Sequence, residues 1–250
     1  MVKTKHKPGG RFAPIVVDRL SAGDVRSFVF SDNAEAQRWF AKVFSADIRS
    51  ATQEFARAWN RYRALADAIA LEKRPAEVLL FVHTALNSIL TSFHLLVSGY
   101  PVPSGNLMRQ FAECVAMALM CADKSLNVFD RYVANRRQFP IHKALDLVTQ
   151  ERISRSLQKK LHLDKQGYSE FIQVMKFYDT LSHASAMTLG HTFMFSQMGG
   201  LVLGSQADPK KRAQYKREIR MFGRSARGIH HLVEVLEQVL DKRPSGTAAA

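Results

Sequence analysis

Two groups of residues have the types and spacing to do chemistry. Arg109 and Glu113 lie four apart, so on a helix they share one face beside an apolar stripe. A half-buried pair of this kind can hold a phosphate or position a proton donor, or it can serve only as an ion pair within its helix. Further along, Tyr178-Asp-Thr-Leu-Ser182-His183 supplies a hydroxyl and an imidazole. Together, Arg109, Glu113, Ser182 and His183 make a catalytic candidate, provided helix packing brings the two segments face to face. His191 follows His183 by eight residues; on a helix that is about 12 Å, too far for both to ligate one metal. His230 and His231 are adjacent and point to different faces, which makes a poor ligand pair. No Cys/His cluster, nucleotide-binding glycine pattern, GxSxG or HExxH occurs, so the expectation is no metal and no cofactor.

A third group is defined by charge. Lys210, Lys211, Arg212, Lys216, Arg217, Arg220, Arg224 and Arg227 crowd the first half of one helical segment, opposed along it only by Asp208 and Glu218. The whole chain carries a formal net charge of +14 in 250 residues. An excess of Lys and Arg attracts polyanions, so RNA or DNA is the expected partner of these eight residues.

The elements that position these groups read as helices throughout. Hydrophobic residues make up 46% of the chain, enough to fill one core. The expected fold class is all-α: a single-domain bundle of about six helices over residues 31–243. A basic flexible arm and irregular segment cover 1–30, and 244–250 form a disordered tail. Asp32 and Glu35 have capping-box spacing. Behind them Phe40, Phe44, Ile48, Phe55, Trp59, Tyr62, Leu65 and Ile69 keep to one face of a single long helix. Pro75 opens a second helix that stops at Gly99. A loop follows, and a third helix starts near Ser104 with Leu107, Phe111, Val115, Leu119 and Ala122 inward. Further helices are expected over about 141–161, behind Ser169, and from Asp208-Pro209 to Leu240. Around a Gly-Gly pair, residues 193–204 have the pattern of a short hairpin.

Val78 to Val97 has the length of a membrane span. It carries His83, Asn87, Ser88, Thr91, Ser92 and His94, however, and so is expected to be a core helix, with no stable membrane insertion. Cys114 and Cys121 are seven residues apart on one helix, about 10 Å, beyond disulfide reach. Two free thiols, and a basic start without an apolar signal stretch, suggest a cytoplasmic location.

Ser98-Gly99, the segment Leu107-Met-Arg109-Gln-Phe-Ala-Glu113, and Tyr178-Asp-Thr-Leu-Ser182 resemble a bacterial all-helical family of unknown function. That family has Arg-x-x-x-Glu on a central helix and Tyr-x-x-Leu-Ser on a later one. The resemblance covers about residues 35–195 and implies a helical bundle with those residues at its site. Where the family places a histidine four residues after the serine, this chain has Ala186. More distantly, the chain is similar to HEPN-type helical ribonucleases, which cleave RNA without a metal using Arg, four to six residues, then His. Arg137 with His142, at a break between helices, is the leading match. The resemblance therefore implies a metal-independent ribonuclease as an alternative to a nucleic-acid binder. A non-catalytic helical interaction protein, forming a homodimer, is the third expectation.

Overall fold

The computed structural model describes residues 33–69, 72–124, 126–134, 193–194, 200–201, 205 and 207–240. Among these residues six α-helices occur, numbered here α1 to α6: Ala34–Val43, Ser45–Ala68, Lys73–Val97, Pro101–Ala122, Val128–Ala134 and Arg212–Val239. The fold is all-α, as the periodicity predicts. A two-residue antiparallel ladder pairs Phe193 with Leu201 and Met194 with Gly200, inside the segment expected to form a hairpin. The helices expected at 141–161 and behind Ser169, the arm at 1–30 and the tail at 244–250 lie outside the described residues.

The single long helix expected from residue 32 onward is two helices. Phe44 leaves helical geometry (φ −120°, ψ 24°) and is buried, its ring 5.6 Å from those of Trp39 and Phe40. Its N–H still donates to Phe40 O and its carbonyl accepts from Ile48 N, so the break strands neither group. Asp32 of the expected capping box lies outside the described residues. Asn33 occupies the cap with φ 51°, makes no capping side-chain bond, and instead accepts from the Tyr100 hydroxyl at 3.2 Å. Asparagine is one of the few residues that takes such a φ readily.

The break also resets the phase of α2. Ala51, Ala58, Tyr62 and Leu65 are buried, whereas Trp59, expected inward, remains 36% exposed. Small residues point inward because α6 approaches closely. A Cβ on Gly223 would lie 3.3 Å from the Ala51 Cα. Contacts along the pair advance together: Asp47 with Arg220, Glu54 with Arg227, Arg61 with Glu237. The two helices therefore run parallel.

α3 and α4 form an antiparallel hairpin. Gly99 (φ 85°) closes α3: its N–H donates to Leu96 O and the Tyr100 N–H to Leu95 O. This is the Schellman pattern, which needs a left-handed residue after the cap, and glycine takes it without strain. α4 starts at Pro101 rather than near Ser104. Pro101 and Pro103 both fall in the first turn, where the missing N–H groups have no helical acceptor anyway. Burial on α4 is broader than the expected stripe. Residues 114 to 118 and 120 to 122 are all buried, so α4 is the central helix, and Leu107 and Leu119 lie at its margins.

α3 is the one described helix long and apolar enough to cross a membrane by length and composition; half of its most apolar window is buried inside the fold. Val78, Val82, Leu86 and Ile89 are fully covered. Ser92, a costly residue if unsatisfied, donates its hydroxyl to the Ser104 carbonyl of α4 at 2.9 Å. At the far end of the hairpin Arg74 ties three helices together. It donates to the Cys121 carbonyl at 3.1 Å, pairs with Asp130 and lies 4.4 Å from the Phe129 ring centre.

Candidate nucleic-acid interface

α6 opens with Asp208-Pro209. The Asp208 carboxylate accepts from the Lys210 N–H at 3.0 Å, and Pro209 to Lys211 form one 3₁₀ turn that runs into the α-helix. From there the helix presents two unlike faces. Tyr215, Ile219, Phe222, Ala226, Ile229, Val233 and Leu236 are buried against α1, α2 and the hairpin. Arg212, Lys216, Arg217, Arg220, Arg224 and Arg227 are all exposed, as is Lys210 just before them. At 100° per residue, those six span an arc of about 140°, and from Arg212 to Arg227 they run about 22 Å along the axis. The basic residues of α6 thus gather on one side.

Two features of this face escape the sequence. The first is that it does not face solvent alone. Asp47 of α2 takes Arg220 at 3.1 Å and Lys216 at 3.9 Å, while Glu54 takes Arg227 at 3.2 Å and Arg57 at 3.3 Å. These carboxylates, 173 residues away from Arg220 and Arg227, are the true acidic border. They neutralise one flank and fix the orientation of Arg220 and Arg227. Arg217 and Arg224 lie at the other edge of the arc.

The second is that Lys211 does not belong to the face. It is 4% exposed, turned into the core, and cannot reach a phosphate. Burial pulls its pKa down, against the pull of Asp208 and Glu218, which favour the charge. Glu218 is likewise no surface counter-charge. It is 7% exposed and burial pushes its carboxyl up to about 8, opposed by Arg217, a hydrogen bond from Gln214, and Lys211. Glu218 lines a cavity of about 10 Å³ with Ser92, Ser104 and Met108, on the scale of one water. Nothing in the charge of Lys211 and Glu218 separates them from their exposed neighbours. The only signal is phase: Glu218 lies beside Ile219 and Phe222 on the apolar side of the helix.

Arg109 and Glu113 form the expected pair on α4, Nε to Oε1 at 3.1 Å, both half-buried. The other half of that catalytic candidate, Ser182 and His183, lies outside the described residues, as do Arg137 and His142. Cys114 and Cys121 are free and buried, and burial raises their thiols to about 11 and about 12, which keeps them protonated and unreactive. Among the described residues no group of three His, Cys, Asp or Glu side chains could hold a metal ion. Compared with protein-family models, curated proteins and solved structures, the chain has no match.

Proposed function

We propose that this chain binds nucleic acid, RNA or DNA, through phosphate contacts made by the exposed face of α6. The observation that carries this reading is the arrangement of six Lys and Arg side chains on one arc of one helix. Each phosphate neutralised by such a side chain releases condensed counterions, so affinity rises with the number engaged and falls steeply with salt. The face offers charge and forks but no array of amide side chains for reading base edges. Binding is accordingly to the backbone and independent of sequence. The net charge of +14 adds long-range attraction during encounter. In this reading the protein works in the cytoplasm and α3 belongs to the core rather than to a bilayer; the burial of Val78, Val82, Leu86 and Ile89 supports the second point.

The test is a fluorescence-anisotropy titration of labelled RNA and DNA oligonucleotides at about 50 and 200 mM salt, a range over which phosphate contacts lose most of their strength. Wild-type protein binds both at the lower salt. The double variant Arg217→Glu/Arg224→Glu binds at least about tenfold more weakly, and its salt slope is smaller by about two. Absence of binding at low salt, or binding indifferent to the double substitution, overturns the proposal.

A further inference from the structure

On the outward side of α3, Leu80, His83, Asn87, Leu90 and His94 are all exposed and follow one another at steps of three, four, three and four. This is heptad spacing, which keeps residues on a single seam facing a second helix. Leu80 is 56% and Leu90 48% exposed, the two most exposed large hydrophobics among the described residues. The seam carries no Lys, Arg, Asp or Glu, in a chain of net charge +14. Beside it Trp59 of α2 adds partly exposed aromatic surface, its ring 5.9 Å from that of His83.

We infer that this seam is the contact between two copies of the chain, α3 packing antiparallel against α3 with Asn87 on the twofold axis. Reversing the seam about Asn87 sets Leu80 opposite His94, His83 beside Leu90, and Asn87 opposite itself. A carboxamide donates and accepts at once, so two symmetry-related Asn87 side chains satisfy each other. A single Asn at the centre of a helix seam is also a device that fixes register and orientation between paired helices. Charge permits the same occupant. Two copies of a strongly basic chain repel wherever their Arg and Lys meet, and the α3 seam presents no formal charge to its counterpart. Lipid is the poorer occupant, because a bilayer leaves Asn87 desolvated without the partner that a second copy supplies. The seam is about 21 Å long from Leu80 to His94, which suits a weak, concentration-dependent dimer rather than an obligate one.

The test uses the full chain in sedimentation-velocity runs from about 1 to about 100 µM, a range that brackets weak association. Wild-type protein shifts reversibly from monomer to dimer mass. The variant Leu80→Glu/Leu90→Glu stays monomeric throughout and keeps its thermal midpoint, since both leucines are exposed. With a short bismaleimide, Asn87→Cys links to itself. Leu80→Cys alone does not, yet an equal mixture of Leu80→Cys with His94→Cys does; the native thiols are buried. A monomer at every concentration, a dimer indifferent to the glutamates, or Leu80→Cys linking to itself overturns the assignment. So does a monomer that binds neutral phosphatidylcholine vesicles through this seam.

Discussion

In the α3–α4 hairpin the chain reverses through three residues, and the two helices meet along apolar side chains with one serine–serine contact at 2.9 Å. In the α2–α6 pair the partners are separated by 173 residues at Asp47–Arg220, run parallel, and are bordered by ion pairs at near-heptad intervals. The first pair spends its surface on burial, and little of it remains to meet another molecule except the α3 seam. The second approaches most closely where Gly223 meets Ala51, beside the stacked rings of Phe55 and Phe222. Its long charged side chains are left for the outside. Close approach of backbones and a rich exterior charge go together here, because alanine and glycine occupy the positions where bulk would otherwise be required.

If the hairpin is the energetic centre, truncating it should do the most damage. Met117 on α4 is fully buried, and Met117→Ala is expected to cost about 2–5 kcal/mol, since the void cannot collapse between packed helices. Urea unfolding reads the loss as a lower midpoint at unchanged slope. A cost below about 1 kcal/mol would show that α4 is not the tightly packed centre described here.

Glu218 provides the next largest effect, where α6 meets the hairpin. Its folded carboxyl titrates near 8 against an ordinary 4.5, so the folded state holds the proton more tightly than the unfolded chain does. The stability this contributes is complete below about pH 4.5 and is lost as pH rises through about 8. Over that window wild-type stability should fall by several kcal/mol from this group alone, up to about 5 kcal/mol for a shift from 4.5 to about 8. Glu218→Gln removes that descent; a variant with the same pH slope as wild type refutes the burial of a protonated carboxyl.

These two effects differ in how far they are legible in sequence. The hairpin is local: Ser98-Gly99 marks its turn, the run from Val78 to Val97 its apolar partner, and free Cys114 and Cys121 its interior. The start of α6 at Asp208-Pro209 is equally local, and so is the Arg109–Glu113 pair. What sequence missed depends on contacts made far along the chain. Phe55 does face inward, stacked on Phe222 of α6, but Trp59, from the same periodic set, is left half outside while Ala51 and Ala58 turn inward to admit α6, a choice made by residues more than 160 positions later. Lys211 has the same charge and local company as Lys210 and differs only in which way the 3₁₀ turn points it. The acidic border of the basic face comes from α2, so counting charges along α6 alone could not find it.

Two glycines in α6 sharpen the contrast at smaller scale. Around Gly228 nothing lies within 4 Å of an added Cβ, so Gly228→Ala gains helix propensity, about 0.5–1 kcal/mol of stability. Gly223→Ala has the same propensity to gain but must push a methyl within 3.3 Å of the Ala51 backbone. The gain is therefore absent or reversed, and Gly223→Val, larger still, costs about 1–3 kcal/mol. Thermal midpoints of the three variants rank them; equal gains at both alanines would mean the helices are not in close contact at Gly223.

The smallest stability effect belongs to the ion pairs, and there function should move more than folding. Arg220 is largely exposed in its pair with Asp47, as is Lys216. Pairs in such surroundings contribute about 0.2–1 kcal/mol, because water already solvates both charges and two long side chains must be held still. A double-mutant cycle of Asp47→Ala with Arg220→Ala should return a coupling of no more than about 1 kcal/mol. Yet Asp47→Asn leaves Lys216 and Arg220 without their carboxylate and removes one negative charge from the border of the proposed nucleic-acid face. Both cations then become available to phosphate, so affinity for an oligonucleotide at low salt should rise severalfold and the salt slope should steepen by one to two. If Asp47→Asn instead destabilises the fold by more than about 2 kcal/mol, with no gain in binding, then Asp47 holds α2 to α6. Its ion pairs would then rank with the packing at Met117, and the division between a buried hairpin and a charged, outward-facing pair would fail.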